Sequence, residues 1–157
     1  MTKQSWKPYV LWVLLTEAVG ALAGFLTRHA TEIYNATILK PPLSPPAIVF
    51  PIVWAILYAF MGIGAARIWL KQPGPERTRS LRLIFLQLFF NFVWSFLFFS
   101  FQAFGLAFLW IAVLWILIVR MTLSFYDLDK AAAWLQLPYL LWVLFAAYLN
   151  LGVWKLN

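Results

Sequence analysis

The chain has 157 residues, of which 64% are hydrophobic and only 11% are charged, and its formal net charge is +7. So few polar residues cannot cover the surface of a water-soluble domain, and an integral membrane protein is predicted. Cysteine is absent, which excludes disulfides, thiolate nucleophiles, iron–sulfur clusters and covalent c-type haem attachment.

Five apolar segments follow one another along the chain, at approximately 9–26, 48–70, 83–101, 104–125 and 131–153. Each approaches the ~20 residues that a helix needs to cross a hydrocarbon core of ~30 Å. Their long apolar blocks do not alternate, which argues against a β-barrel. The prediction is an all-α fold, a bundle of five transmembrane helices in a single membrane domain over 1–157, with the third and fourth helices in a tight hairpin.

Lysine and arginine are distributed unevenly between the two ends of such a bundle. With a cytoplasmic N-terminus, nine fall on the cytoplasmic side and three, Arg28, Lys40 and Lys155, on the other. This bias predicts a multi-pass protein with its N-terminus in the cytoplasm, in a bacterial plasma membrane. Contact with anionic lipid accounts for the net charge, so no nucleic-acid partner is predicted.

The first segment contains a carboxylate and a pair of glycines. Glu17 has no cation within its own helix. Its side chain is therefore protonated, or it pairs with a group on another helix, or it lies nearer the membrane interface than the predicted span implies. The preferred interpretation is a structural hydrogen bond. Gly20 and Gly24 form a GxxxG spacing, which permits close helix approach within the bundle or between two protomers.

A loop at 27–47 joins the first two segments and ends in a proline-dense stretch. Five prolines from Pro41 to Pro51 fix φ and remove backbone donors. Trp54 and Tyr58 follow, one helical turn apart. A rigid loop in this position is expected to form a lid over a pocket.

A polar stripe marks the third segment. Gln87, Asn91 and Ser95 recur every fourth residue, so they share one helix face with Trp94 beside it. Such a stripe must face other helices or a cavity, and hydrogen bonding between helices and the lining of a pocket are both open.

Tryptophan is unusually frequent, with ten residues, more than two interfacial belts require. Trp54, Trp94 and Trp142 lie within predicted helices, and Trp142 shares a face with Ala146. Facing rings would form a flat slot for a planar aromatic or macrocyclic ligand; core packing is the alternative.

Signatures of ordinary catalysis are missing from the sequence. The single histidine, His29, cannot supply a metal site that needs two or three nitrogen ligands. No P-loop, GxGxxG, HExxH or GxSxG motif occurs. Asp127 and Asp129, beside Lys130, are predicted to form a solvated turn. No metal and no cofactor is therefore expected.

Three motifs in this order resemble the TspO/MBR family, the tryptophan-rich sensory proteins and mitochondrial translocator proteins (peripheral benzodiazepine receptors). They read KPPLSPPAIVFPIVWAILY, QLFFNFVWSFLFF at 87–99 and LPYLLWVLFAAYLN at 137–150. The resemblance covers nearly the whole chain and favours the slot over core packing. It implies a five-helix bundle, usually a homodimer, with a pocket under the first loop that binds porphyrins and synthetic isoquinoline and benzodiazepine ligands.

Carried over by motif, the resemblance implies a ligand-binding set of Tyr34, Trp54, Tyr58, Asn91, Trp94, Trp142, Phe145 and Ala146. Trp54 and Trp142 match the tryptophans implicated in light-dependent breakdown of protoporphyrin by bacterial relatives, and would be the catalytic pair if that activity is present. The loop tryptophan usual in the family is missing from this chain, which reads IYNATILKP at 33–41 where the family reads W-Y-x-x-L-x-K-P. Tyr148 lies too far from Lys155 for the cholesterol pattern of animal members, so cholesterol binding is not predicted.

The expected function is a membrane receptor or sensor for porphyrins, such as protoporphyrin IX and haem-like tetrapyrroles. Light-dependent porphyrin degradation is the alternative, and transport of tetrapyrroles or other hydrophobic ligands is the least favoured. The expected partners are a porphyrin or other planar hydrophobic molecule, the lipid membrane and a second copy of the chain.

Overall fold

The computed structural model describes residues 6–157, and most of these lie in helices. The helices are α1 (Lys7–Leu26), α2 (Arg28–Thr37), α3 (Val49–Trp69), α4 (Pro75–Ser95), α5 (Phe104–Leu128), α6 (Lys130–Trp134) and α7 (Leu137–Leu156). A π-helical turn, Phe96–Ser100, prolongs α4. Five of these stretches are long and apolar enough to cross a membrane. The prediction of an integral, multi-pass, all-α membrane bundle is confirmed.

The observed spans differ in their bounds from those that hydropathy predicts. Helix α4 begins at Pro75 instead of 83, because its first two turns are polar but helical. Helix α5 continues to Leu128 instead of ending at 125. The last span is divided into α6 and α7, since Pro138 lies in the first turn of α7, where its missing N–H leaves no bond unmade.

The segment predicted as a loop, 27–47, contains helix α2 in its first part. The prolines begin only at Pro41, so the residues before it are free to be helical. The hydroxyls of Thr27, Thr31 and Thr37 each donate to the carbonyl four residues earlier, at 2.7–2.9 Å. The irregular part of the connection is therefore limited to 38–48.

Helices α1 and α3 pack closely because small residues face each other. A Cβ atom on Gly62 would lie 2.5 Å from the Cα atom of Val13, so only glycine allows this approach. Gly20 lies against the ring of Tyr58, and Thr16 donates a 2.7 Å hydrogen bond to the Tyr58 carbonyl. Gly20 therefore allows α1 to pack closely against α3 within the bundle.

Helices α4 and α5 form the hairpin that the sequence predicts. The connection is closed by Gln102, whose φ of 49° lies in the left-handed region. Across the hairpin, Trp110 stacks on Phe90 with ring centroids 4.3 Å apart, and its indole N–H donates to the Phe90 carbonyl at 2.8 Å. The hairpin is thus held by an aromatic pair as well as by its short loop.

At the end of the bundle away from α2, Asp129 ties three helices together. Its carboxylate accepts from Arg67 at 3.0 Å, pairs with Lys71 at 3.2 Å and caps α6 by accepting from the Ala132 N–H at 2.9 Å. Burial opposes ionisation of the carboxyl, but these donors outweigh it and lower the pKa of Asp129. Its side chain is only 6% exposed, so the prediction of a solvated turn was wrong for Asp129.

Candidate functional site

A cavity of about 660 Å³ opens at the end of the bundle that carries α2. Its volume lies within the ~300–1,000 Å³ typical of small-molecule sites. Its aromatic lining comprises Phe25, Tyr34, Phe50, Trp54, Tyr58, Trp94, Phe98, Phe99 and Trp142. Its polar lining comprises Glu17, Thr27, Arg28, Thr31, Asn35, Asn91 and Ser95. The site therefore offers many ring faces and few polar groups, a combination suited to a flat, apolar ligand.

Seven of the eight residues in the predicted ligand-binding set border this cavity: Tyr34, Trp54, Tyr58, Asn91, Trp94, Trp142 and Ala146. Phe145 does not. It borders a shallower groove between α3 and α7, beside Pro138 and Leu141. On α7 the cavity face runs through Trp142, Ala146 and Leu149, and Phe145 lies at the edge of that face.

Trp54 is the centre of the aromatic wall. Its ring centroid lies 5.6 Å from that of Tyr58 and 6.5 Å from that of Trp142. The planes of Trp54 and Trp142 meet at 88°, so the two indoles form a corner instead of the parallel slot expected from the sequence. A flat ligand that stacks on one indole will meet the edge of the other, which is a favourable aromatic geometry.

Behind this wall a chain of hydrogen bonds joins α3, α4 and α7. The Tyr58 hydroxyl donates to Asn91 Oδ1 at 3.1 Å, and Asn91 Nδ2 donates to the Tyr139 hydroxyl at 2.7 Å. Tyr139 in turn donates to Gln87 Oε1 at 2.7 Å, and Gln87 Nε2 contacts Met61 Sδ at 3.2 Å. The chain fixes both the amide of Asn91 and the ring of Tyr58 where they face the cavity.

Two of the cavity tryptophans, Trp94 and Trp142, differ in whether the indole N–H donates a hydrogen bond. Trp94 donates to Asn150 Oδ1 at 3.0 Å, and its ring stacks on Phe98 with centroids 5.0 Å apart. The Nε1 atom of Trp142 is buried and has no hydrogen-bond partner among residues 6–157. A buried donor without a partner is costly, so the Trp142 N–H is a destabilising feature of α7 next to the cavity.

The mouth of the cavity is bordered by α2 and, from the segment 38–48, by Ala47. Tyr34 lies 5.2 Å, between centroids, from both Phe98 and Phe99 of the π turn. The Lys40 ammonium lies 4.9 Å from the centroid of the Tyr34 ring. Burial raises the pKa of Tyr34 to about 12, so its phenol is neutral at physiological pH. Helix α2 thus brings an uncharged aromatic side chain over the opening.

Segment 38–48 is docked onto the last turns of α7. The ring of Pro41 fills the space above Gly152, where a Cβ atom would collide with it. The Asn157 side chain accepts from the Leu39 N–H at 3.1 Å and donates to the Leu39 carbonyl at 2.9 Å. The Tyr148 hydroxyl donates to the carbonyl of Pro42 at 2.8 Å. The segment has few bonds of its own and depends on α7 for its position.

Small residues line much of the α1 side of the cavity. Gly20, Ala21 and Gly24 border it without large side chains, and a Cβ atom on Gly24 would meet nothing within 4 Å. One turn before Gly20, Glu17 also borders the cavity. Within residues 6–157 its carboxylate forms no salt bridge, and the structural hydrogen bond preferred for it from the sequence is not present there.

Tyr139 is a part of the site that was not identified from the sequence. Tyr139 is fully buried and connects Asn91 to Gln87, although it does not border the cavity itself. The polar stripe of α4 serves both roles considered for it, because Asn91 and Ser95 border the cavity whereas Gln87 bonds between helices. The signal that could have identified Tyr139 is its position directly after Pro138, on the helix that carries Trp142.

Comparison with known proteins agrees with this architecture. The sequence model of the TspO/MBR family matches residues 12–155. The tryptophan-rich protein TspO of Chlorobaculum tepidum is 37% identical, over 94% of this chain and 94% of its own length. The translocator protein of Bos taurus is 32% identical, over 97% and 91%. The tryptophan-rich sensory protein of Cereibacter sphaeroides is 34% identical, over 95% and 92%.

Proposed function

The chain belongs to the TspO/MBR family, and from this premise we propose that it is a membrane receptor or sensor for porphyrins and similar flat hydrophobic ligands. Protoporphyrin IX and haem-like tetrapyrroles are the ligand class, and the aromatic cavity is the site. The observation that carries the proposal is that seven residues from separate motifs border one cavity. The rings supply stacking surfaces, and Arg28, Thr31 and Asn35 supply polar groups for the carboxylates of a porphyrin.

The test is a titration of the detergent-solubilised protein with protoporphyrin IX in the dark, followed by tryptophan fluorescence. Trp54→Phe and Trp142→Phe are expected to weaken binding by about two- to tenfold, because an aromatic pair contributes about 0.5–1.5 kcal/mol. Trp134→Phe is the matched control, since Trp134 is 63% exposed on α6, at the other end of the bundle. Absence of saturable binding by the wild type would refute the proposal.

A second function, light-dependent degradation of the bound porphyrin, is favoured by one observation. Trp54 and Trp142 border the same cavity with ring centroids 6.5 Å apart. The terminal oxidant would be dissolved dioxygen, to which the light-excited porphyrin passes an electron, and the two indoles beside it would exchange electrons with the oxidised ligand. Illumination of the complex should then consume porphyrin in the wild type but not in either phenylalanine variant. Consumption at equal rates in all three would exclude this role for the tryptophans.

We also propose a bacterial plasma membrane location with the N-terminus in the cytoplasm. Because the chain has no cysteine, single cysteines can report the orientation. Thr37→Cys on α2 should react with a membrane-impermeant maleimide in intact cells, whereas Gln72→Cys, exposed between α3 and α4, should not. The reverse pattern would contradict the orientation.

A homodimer is the proposed assembly. Light scattering with correction for bound detergent should then give about twice the chain mass of 18.2 kDa. A mass equal to that of one chain would contradict the dimer.

A further inference from the structure

Glu17 is an ionisable side chain in the middle of a membrane-spanning helix, and it faces the cavity. Helix α1 runs from Lys7 to Leu26, so Glu17 lies about halfway along the twenty residues of the span. Carboxylates at this depth are costly, and where they occur they face a partner, a cavity or a ligand pathway. Glu17 borders the cavity and has no salt-bridge partner among residues 6–157.

The donors close to Glu17 are already used elsewhere. The adjacent Thr16 hydroxyl donates to the Tyr58 carbonyl at 2.7 Å, and the Tyr58 hydroxyl donates to Asn91 at 3.1 Å. In the part of the chain that the structure describes, Arg28 is the one cation that borders the cavity. Its guanidinium lies 4.0 Å from the centroid of the Phe25 ring and donates to the Phe25 carbonyl at 2.6 Å, so it is held at the mouth. Glu17 therefore borders open volume, and its acceptor oxygens have no partner within the described residues 6–157.

The wall around Glu17 leaves room for a ring system. One turn further along α1, Gly20 and Ala21 project nothing larger than a methyl group. At Gly24 the space is open for at least 4 Å. A flat ligand can thus lie along α1 and bring an atom of its edge to the carboxylate.

We propose that Glu17 binds the N–H or cationic nitrogen of a flat aromatic ligand lodged in the cavity between α1, α3 and α4. The inference rests on the cavity being a ligand site, as proposed above, and adds a chemical requirement to it. Ligands that carry a basic or N–H-bearing nitrogen at one edge are preferred over hydrocarbons of the same shape. The carboxylate supplies the selectivity, because it can form a charge-assisted hydrogen bond with a nitrogen-bearing ligand and none with a hydrocarbon.

The test compares two dyes of matched shape on the full-length protein in detergent. One is 9-aminoacridine, which is cationic at neutral pH, and the other is anthracene, which has no nitrogen. The wild type is expected to bind 9-aminoacridine saturably and more tightly than anthracene. Glu17→Gln should weaken 9-aminoacridine binding about tenfold or more, as the loss of a charged hydrogen bond predicts, and leave anthracene unchanged.

Two further variants separate the carboxylate from a general effect on folding. Glu17→Asp keeps the charge and should retain part of the preference for the cationic dye. Glu32→Gln removes an exposed carboxylate on α2 that does not border the cavity, and it should change nothing.

The inference is overturned if Glu17→Gln binds 9-aminoacridine as tightly as the wild type, or if the wild type does not bind it saturably. The protoporphyrin IX titration is read independently. Porphyrin binding without a Glu17-dependent preference would leave the cavity as a ligand site and remove only the role of Glu17.

Discussion

Replacing Tyr139 by phenylalanine removes one hydroxyl from the hydrogen-bonded chain behind the cavity. That hydroxyl donates to Gln87 and accepts from Asn91, each at 2.7 Å. All three side chains are almost completely buried, so water cannot replace the lost bonds. Hydrogen bonds between membrane helices average ~0.6 kcal/mol each, whereas a buried polar group without a partner costs ~1–3 kcal/mol. With two bonds lost, we expect Tyr139→Phe to lower the free energy of unfolding by about 1–3 kcal/mol.

The assay is denaturant unfolding of the detergent-solubilised protein, followed by circular dichroism. Tyr126→Phe is the matched control, because Tyr126 is 45% exposed and its hydroxyl makes no hydrogen bond within residues 6–157. The control should stay within about 0.5 kcal/mol of the wild type. If Tyr139→Phe behaves like the control, the buried chain does not stabilise the bundle and the reasoning fails.

A double-mutant cycle with Gln87→Leu gives a second check. Tyr139 and Gln87 share a hydrogen bond, so the two substitutions should be less costly together than the sum of their separate effects. Simple additivity would contradict a direct bond. The same variants should also weaken ligand binding, since Asn91 is no longer held in one orientation at the cavity surface.

Three further predictions concern the loop, α1 and the opposite end of the bundle. Gly152→Val places methyl groups where Pro41 packs, so ligand dissociation in stopped-flow should accelerate several-fold; an unchanged rate would show that the docked segment does not close the cavity. Gly20→Ala should lower the melting temperature because its Cβ atom overlaps a tyrosine ring, whereas Gly24→Ala should not; equal effects would contradict this packing. The lowered pKa of Asp129 stabilises the fold above its unfolded-state pKa of about 3.9, and this contribution is lost as pH falls through the folded pKa. Melting curves of the wild type and Asp129→Asn should therefore converge below about pH 4, and a constant difference would refute the assignment.

The helical bundle could be predicted from short-range patterns, and part of the cavity lining from the three motifs that resemble the TspO/MBR family. Hydropathy marks the membrane spans, since the bilayer requires long apolar helices. Spacing by four places Trp54 with Tyr58, and Trp142 with Ala146, on common helix faces. Each of these four residues borders the cavity.

The remaining features depend on how helices meet, which spacing along one helix does not encode. The partner of Asn91 is Tyr139, which lies on another helix and was not recognised from the sequence. The right angle between Trp54 and Trp142 follows from the separate rotations of α3 and α7. Phe145 was placed in the cavity because the family resemblance implied it from the motif PYLLWVLFA, but it lies at the edge of the α7 cavity face and borders the outer groove instead.

Helix α2 was not predicted for a different reason. Its sequence is polar, so hydropathy gives no signal, and the prolines that follow it indicate irregular structure. Its helical bonds are supported by threonine hydroxyls and by the contact of Tyr34 with the π turn, a tertiary effect that local propensity does not contain.

The π turn at Phe96–Ser100 links the shape of the cavity to the number of residues in this turn of the chain. Its wider loop, closed by a 2.9 Å bond from the Phe101 N–H to the Phe96 carbonyl, accommodates one residue more than an ordinary helical turn. Phe98 and Phe99 are adjacent in sequence, yet both contact Tyr34. Deleting one residue here would restore regular helix and turn one of the two rings towards lipid. A single insertion or deletion at this point would therefore change the shape of the cavity beside Tyr34.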